Sequence, residues 1–112
     1  MKSSERFFID GVTCRLDGDG LPVANLSVGG LFAATERPPL LGQVVKLELL
    51  LGERESYEVV GRVTWLNDGS SRRAPMLPCG FGVRITQIGL PAKLAIVNAL
   101  KRAKGRSVFR PT

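Results

Sequence analysis

Val45, Leu47, Leu49 and Leu51 alternate with Lys46 and Glu48, the clearest period of two in the chain and the pattern of a strand with one face in a core. Earlier, Val12, Cys14 and Leu16 alternate with Thr13, Arg15 and Asp17 in the same way. Asp17-Gly18-Asp19-Gly20 supplies a tight turn, after which Leu21 to Leu26 returns as a hairpin partner. Leu31 and Ala33 alternate with Phe32 and Ala34 until Arg37-Pro38-Pro39, where proline cannot donate to a ladder and ends the strand. Tyr57, Val59, Val63 and Trp65 line one face of a long strand, opposite Glu58, Arg62 and Thr64; Gly61 within it predicts a bulge or a sharp bend. On this reading Trp65 is a core plug. Asn67 to Pro78 is a polar connection, and Phe81, Val83 and Ile85 form the last strand. Pro91 opens a helix near 91–104, with Leu94, Val97 and Leu100 at helical spacing and Gly105 as its stop.

Two of these apolar runs meet at Asn25-Leu26-Ser27-Val28-Gly29-Gly30, which gathers several hydrogen-bonding groups within six residues. Asn and Ser side chains bond readily to nearby backbone. The two glycines permit positive φ and let another molecule approach the main chain. The stretch therefore reads either as a well-made turn or as the rim of a binding site.

Asn25-x-Ser27-x-x-Gly30, Gly30-Leu31-Phe32, Gly61-x-Val63-x-Trp65 and Gly80-Phe81-Gly82-Val83 occur in an order and spacing that resembles the PilZ domain family, over about Arg6 to Ile88. The resemblance is greatest to short, stand-alone PilZ-like variants. It implies a mainly β fold, a six-stranded antiparallel barrel with one C-terminal α-helix, and in many members binding of the bacterial second messenger cyclic di-GMP. In ligand-binding members an Arg-x-x-x-Arg arm before the first strand closes over the nucleotide held on the Asn/Asp-x-Ser-x-x-Gly turn. The interval here is Lys2-x-x-x-Arg6, with lysine in place of the first arginine. Lysine keeps the charge but cannot form the two-pronged pair with guanine, a loss of about 1–3 kcal/mol. The candidate ligand-binding residues are thus Lys2, Arg6, Asn25, Ser27 and Gly30. A second interval of the same spacing, Arg102-x-x-x-Arg106, falls at the helix end and reads as coincidence in a basic stretch.

The 112 residues suit one domain: a basic arm over 1–10, a barrel with its helix over 11–105, and a frayed basic tail over 106–112. Hydrophobic residues at 44% and charged residues at 23% exclude wholesale disorder. No apolar run approaches the roughly 20 residues of a membrane span, and no signal-peptide core follows the first residues, so a cytoplasmic location is expected. The net charge of +6 is concentrated at the end, where Lys101, Arg102, Lys104, Arg106 and Arg110 are accompanied by no acid. Such a tail attracts phosphates, nucleic acid or acidic protein surfaces, or simply completes a helix end. Specific nucleic-acid readout is not expected, because one Tyr, one Trp and no recognition element accompany it.

Cys14 and Cys79 lack metal-ligand spacing and read as reduced buried thiols, with a disulfide left open. The chain has no histidine, which removes the usual general base and the commonest zinc ligand. No enzyme activity, metal or cofactor is therefore expected. Two functions remain: a cyclic di-GMP receptor that relays the messenger to a partner protein, or a PilZ-like adaptor that works through protein contacts without the nucleotide.

Overall fold

The structure, a computed structural model, describes residues 7–9, 11–68 and 74–106. Strands β1 (Phe7–Phe8), β2 (Thr13–Leu16), β3 (Asp19–Ser27), β4 (Gly30–Ala34), β5 (Val44–Gly52), β6 (Glu55–Asn67) and β7 (Gly80–Ile88) precede a single helix, α1 (Leu90–Arg106). All pairings are antiparallel. The order β3-β2-β5-β6-β7-β4 closes because β4 pairs back onto β3, giving the expected six-stranded barrel with a C-terminal helix.

The short β1 lies outside that count. It and β2 run end to end along one edge of β3: Phe8 opposes Asn25 and Thr13 opposes Pro22, so that five steps along one segment are matched by three along the other. Gly11, at φ 79°, lies in the slack between them, a conformation that favours glycine. The chain thus reaches the candidate turn from its N-terminal side as a paired strand.

The period of two holds through the core. Val45, Leu47, Leu49 and Leu51 are buried, as are Val59, Val63, Phe81 and Val83, while Ile85 packs partly buried against them. Gly61 marks the anticipated irregularity, since the β6–β7 register shifts between Val60 and Gly61. A side chain there would also meet Val83 and the carbonyl of Arg84.

Trp65 is not a core plug. A second register shift lies between Val63 and Trp65, so that Val63 opposes Val83 but Trp65 opposes Gly82. The extra residue, Thr64, turns Trp65 to the outer wall and leaves Leu66, opposite Phe81, packed on the core. Phe32 also opposes Gly82, from the other side. The Phe32 and Trp65 rings meet with centroids 5.2 Å apart, across a strand that has no side chain at that point.

The helix keeps Leu100 of its expected face packed partly buried on the core but turns Leu94 away from it. Ala92, Ile96 and Ala99 are buried, whereas Leu94 is 54% exposed. Alanines on either side of Ile96 let the helix approach the barrel closely, a geometry that favours small residues over the larger leucines. The helix contacts β1, β3, β5 and β6. It continues through Gly105 to Arg106. Pro91 stands in its first turn, where an N–H would have no partner in the helix. No described helix is long and apolar enough to cross a membrane.

Both cysteines are free thiols. Cys14 is fully buried, and burial pushes its thiol up to about 12. Its neutral form therefore stabilises the fold below the unfolded thiol pKa, and that contribution is lost as pH rises toward about 12. Comparing urea unfolding of wild type and Cys14→Val should show wild type losing stability faster above about pH 9, while equal slopes would refute the assignment.

Candidate ligand-binding site

The candidate turn is a two-residue connection between β3 and β4, with Ser27 opposite Gly30. Ser27 is buried, and its hydroxyl accepts from Gly29 N at 3.2 Å and Gly30 N at 3.1 Å. It also reaches Gly30 O at 3.3 Å. One donor and two lone pairs are thereby used within the turn. Ser27 shapes the turn, and Gly29 O in addition accepts from Ile85 N at 2.9 Å, tying it to β7. The positive φ angles among described glycines fall at Gly11, Gly18 and Gly42, so the turn does not use the left-handed freedom anticipated for Gly29 and Gly30.

Asn25 reaches the outer wall through a bulge. The β3–β4 register runs from Val23 opposite Ala33 to Asn25 opposite Phe32, with Ala24 as the extra residue. Without the bulge, with Ala24 paired in register, Asn25 would share the core-facing side with Val23. With it, Leu26 pairs inward with Leu31 and Asn25 joins Ser27, Gly30 and Phe32 outside. Asn25 is nevertheless only 9% exposed, and its Oδ1 has no hydrogen-bond partner among the described residues. A buried amide oxygen left unpaired costs about 1–3 kcal/mol, which a donor from a bound molecule would recover.

Asn25 lies in a row across five strands: Phe8, Asn25, Phe32, Gly82 and Trp65 at successive register positions. The next row holds Ser27, Gly30 and Arg84. The fold therefore brings together Asn25, Ser27 and Gly30. Lys2 and Arg6 lie outside the described residues; Arg6 directly precedes Phe7, whose partner in β3 is Leu26.

Sequence reasoning did not single out Asn67, which closes the neighbouring connection. It is fully buried, its Nδ2 donates toward the carbonyls of Ala74, Leu77 and Pro78 at 3.0, 3.3 and 2.9 Å, and its Oδ1 accepts from Ala74 N at 2.9 Å. A terminal Asn before a polar stretch was the only signal, and such residues are common in ordinary turns. Among the described residues no group of His, Cys, Asp and Glu could hold a metal ion.

A closed antiparallel barrel with a polar turn on its outer wall and one helix across it places the protein among small all-β domains. The PilZ domain model matches residues 3–102, and the chain belongs to that family. Among solved structures it is similar to the Bacillus subtilis inhibitor of motility MotI/DgrA, with a TM-score of 0.67 and 16% identity, over 95% of this chain and 53% of that one. It is also similar to PlzA of Borreliella burgdorferi, solved in complex with c-di-GMP, with a TM-score of 0.55 and 15% identity, over 88% of this chain and 40% of that one. The chain thus spans about half the length of MotI/DgrA and two fifths of PlzA. No curated protein sequence gives a significant match.

Proposed function

We propose that this chain is a cytoplasmic PilZ-type receptor that binds cyclic di-GMP and relays the messenger to a partner protein, without catalysis of its own. The observation that carries this reading is Asn25 Oδ1, buried on the outer wall beside the Ser27–Gly30 turn and without a hydrogen-bond partner among the described residues. Membership of the PilZ family supports it, as does the nucleotide complex of the similar barrel in PlzA. Asn25 receives a donor from the ligand, Ser27 holds the turn that presents it, and Gly30 allows close approach. Arg6 clamps guanine or phosphate from the arm, with Lys2 adding charge alone. Lys2 is also what favours the second reading, an adaptor that no longer takes the nucleotide, because an ammonium cannot replace the missing fork.

Calorimetric titration with cyclic di-GMP decides between them. Lys2→Arg should tighten binding about tenfold by restoring the fork, and Arg6→Ala should weaken it about tenfold to a hundredfold. Ser27→Ala should lower affinity and thermal midpoint together, because its hydroxyl belongs to the turn. If neither wild type nor Lys2→Arg binds at high micromolar nucleotide, the receptor reading gives way to the adaptor.

A further inference from the structure

Arg84 stands on β7 with Gly30 of the candidate turn on one side and Arg62 of β6 on the other. Its neighbour Val83 is buried in the core, and Arg84 itself is exposed on the outer wall. Ser27, Gly30, Arg84 and Arg62 therefore form one row across four adjacent strands, each step about 4.8 Å. Two arginines directly opposite each other repel. Arg62 donates to the carbonyl of Gly42 at 2.8 Å, but the side chain of Arg84 has no hydrogen bond or ion pair among the described residues.

Among the described residues nothing on this part of the wall offsets the pair. Val44 opposes Arg62, and the next level along β5 and β6 brings Lys46 opposite Val60, a third cation. The carboxylates of this face, Glu48 and Glu58, oppose each other further along, and Glu48 is engaged by Arg15 at 2.8 Å. Gly30, having no Cβ, places no side chain between Arg84 and Ser27 in this row. An unneutralised cationic pair held on rigid strands beside the turn is a site arranged for an anion, while Asn25 Oδ1, an acceptor without a partner among the described residues, calls for an N–H donor elsewhere on the same ligand.

We propose that Arg84, with Arg62 behind it, is a further ligand contact that receives a phosphodiester of the dinucleotide seated over Gly30. This rests on the receptor reading above. It gives the ligand a cationic contact fixed in the sheet, independent of the arm that carries Lys2 and Arg6. The guanidinium fork suits phosphate oxygens, so lysine replaces it only in part.

The test is titration of wild type, Arg84→Ala, Arg84→Lys and Arg62→Ala with cyclic di-GMP at low and high salt. Arg84→Ala should weaken binding about tenfold to a hundredfold and flatten its salt dependence, with Arg84→Lys intermediate and Arg62→Ala milder. Without nucleotide, Arg84→Ala should melt at or above the wild-type midpoint in low salt, because the like-charge pair is relieved; this separates a binding loss from a folding defect. If wild type binds and Arg84→Ala binds within twofold with the same salt dependence, the inference falls while the receptor reading stands. If wild type binds no nucleotide, the receptor reading falls and inorganic pyrophosphate at constant ionic strength decides the anion site. A raised midpoint in wild type but not in Arg84→Ala upholds it, and no shift overturns it.

Discussion

Asn67→Ala should lower the free energy of unfolding by about 3–4 kcal/mol, a large share of the margin of a domain this size. The buried amide serves three carbonyls with two N–H bonds and takes the N–H of Ala74 in return. Alanine strands those groups and leaves a void where the amide stood. Asn67→Asp separates the two causes, because it keeps the volume and the acceptor while setting a carboxylate against the carbonyls of Leu77 and Pro78. Urea unfolding should place wild type well above both variants. A loss under about 1 kcal/mol in each would show that this network contributes little.

Gly80→Ala should cost about 3 kcal/mol, near the upper end for overpacking. A Cβ at Gly80 would run into the carbonyl oxygen of Ala33 and come within 2.9 Å of Phe32 Cζ. The first obstacle is backbone in the neighbouring strand, so no rotamer change relieves it, and β4 must move away from β7. Gly82→Ala differs, because its Cβ would meet the Trp65 ring, a side chain that can turn aside. Removing Trp65 should therefore rescue much of the Gly82→Ala loss, whereas removing Phe32 should leave Gly80→Ala nearly as destabilised. Denaturant midpoints for the two double-mutant cycles measure this, and equal rescue in both would contradict the distinction.

The strands were legible because the alternation in Val45 to Leu51 and in Phe81 to Ile85 reports one buried face directly, whereas their closure into a barrel was expected only from the resemblance to the PilZ family. Asn25 and Ser27 were legible as a polar pair in a turn, and the structure places both on one wall with Gly30. What a period of two cannot convey is an extra residue. Thr64 and Ala24 each reverse the alternation that follows, sending Trp65 and Asn25 outward against their apparent phase. The glycines at 80 and 82 held a clue, since two bare positions on one face of β7 need rings from neighbouring strands to cover them. On the helix, weighing Leu94 by size concealed that Ala92 and Ala99 make the close contact. Asn67 was illegible because its partners are main-chain groups, which every sequence possesses. The pairing of Arg62 with Arg84 depends on register across β6 and β7, which no local pattern specifies.

The two bulges also set how the length of this domain can vary over generations. In a closed barrel a residue added to or removed from a regular strand stretch reverses every side chain up to the next turn, with no free edge to absorb the slip. At Ala24 and Thr64 one such addition is already built into the wall. Loss of either codon would remove the bulge and leave the same residues opposite each other in a regular ladder, with Asn25 or Trp65 still facing outward. Lineages of this barrel are therefore freer to lose a residue at 24 or 64 than within a regular stretch, and a gap at a paired position beside them marks a descendant whose outer wall has been rebuilt.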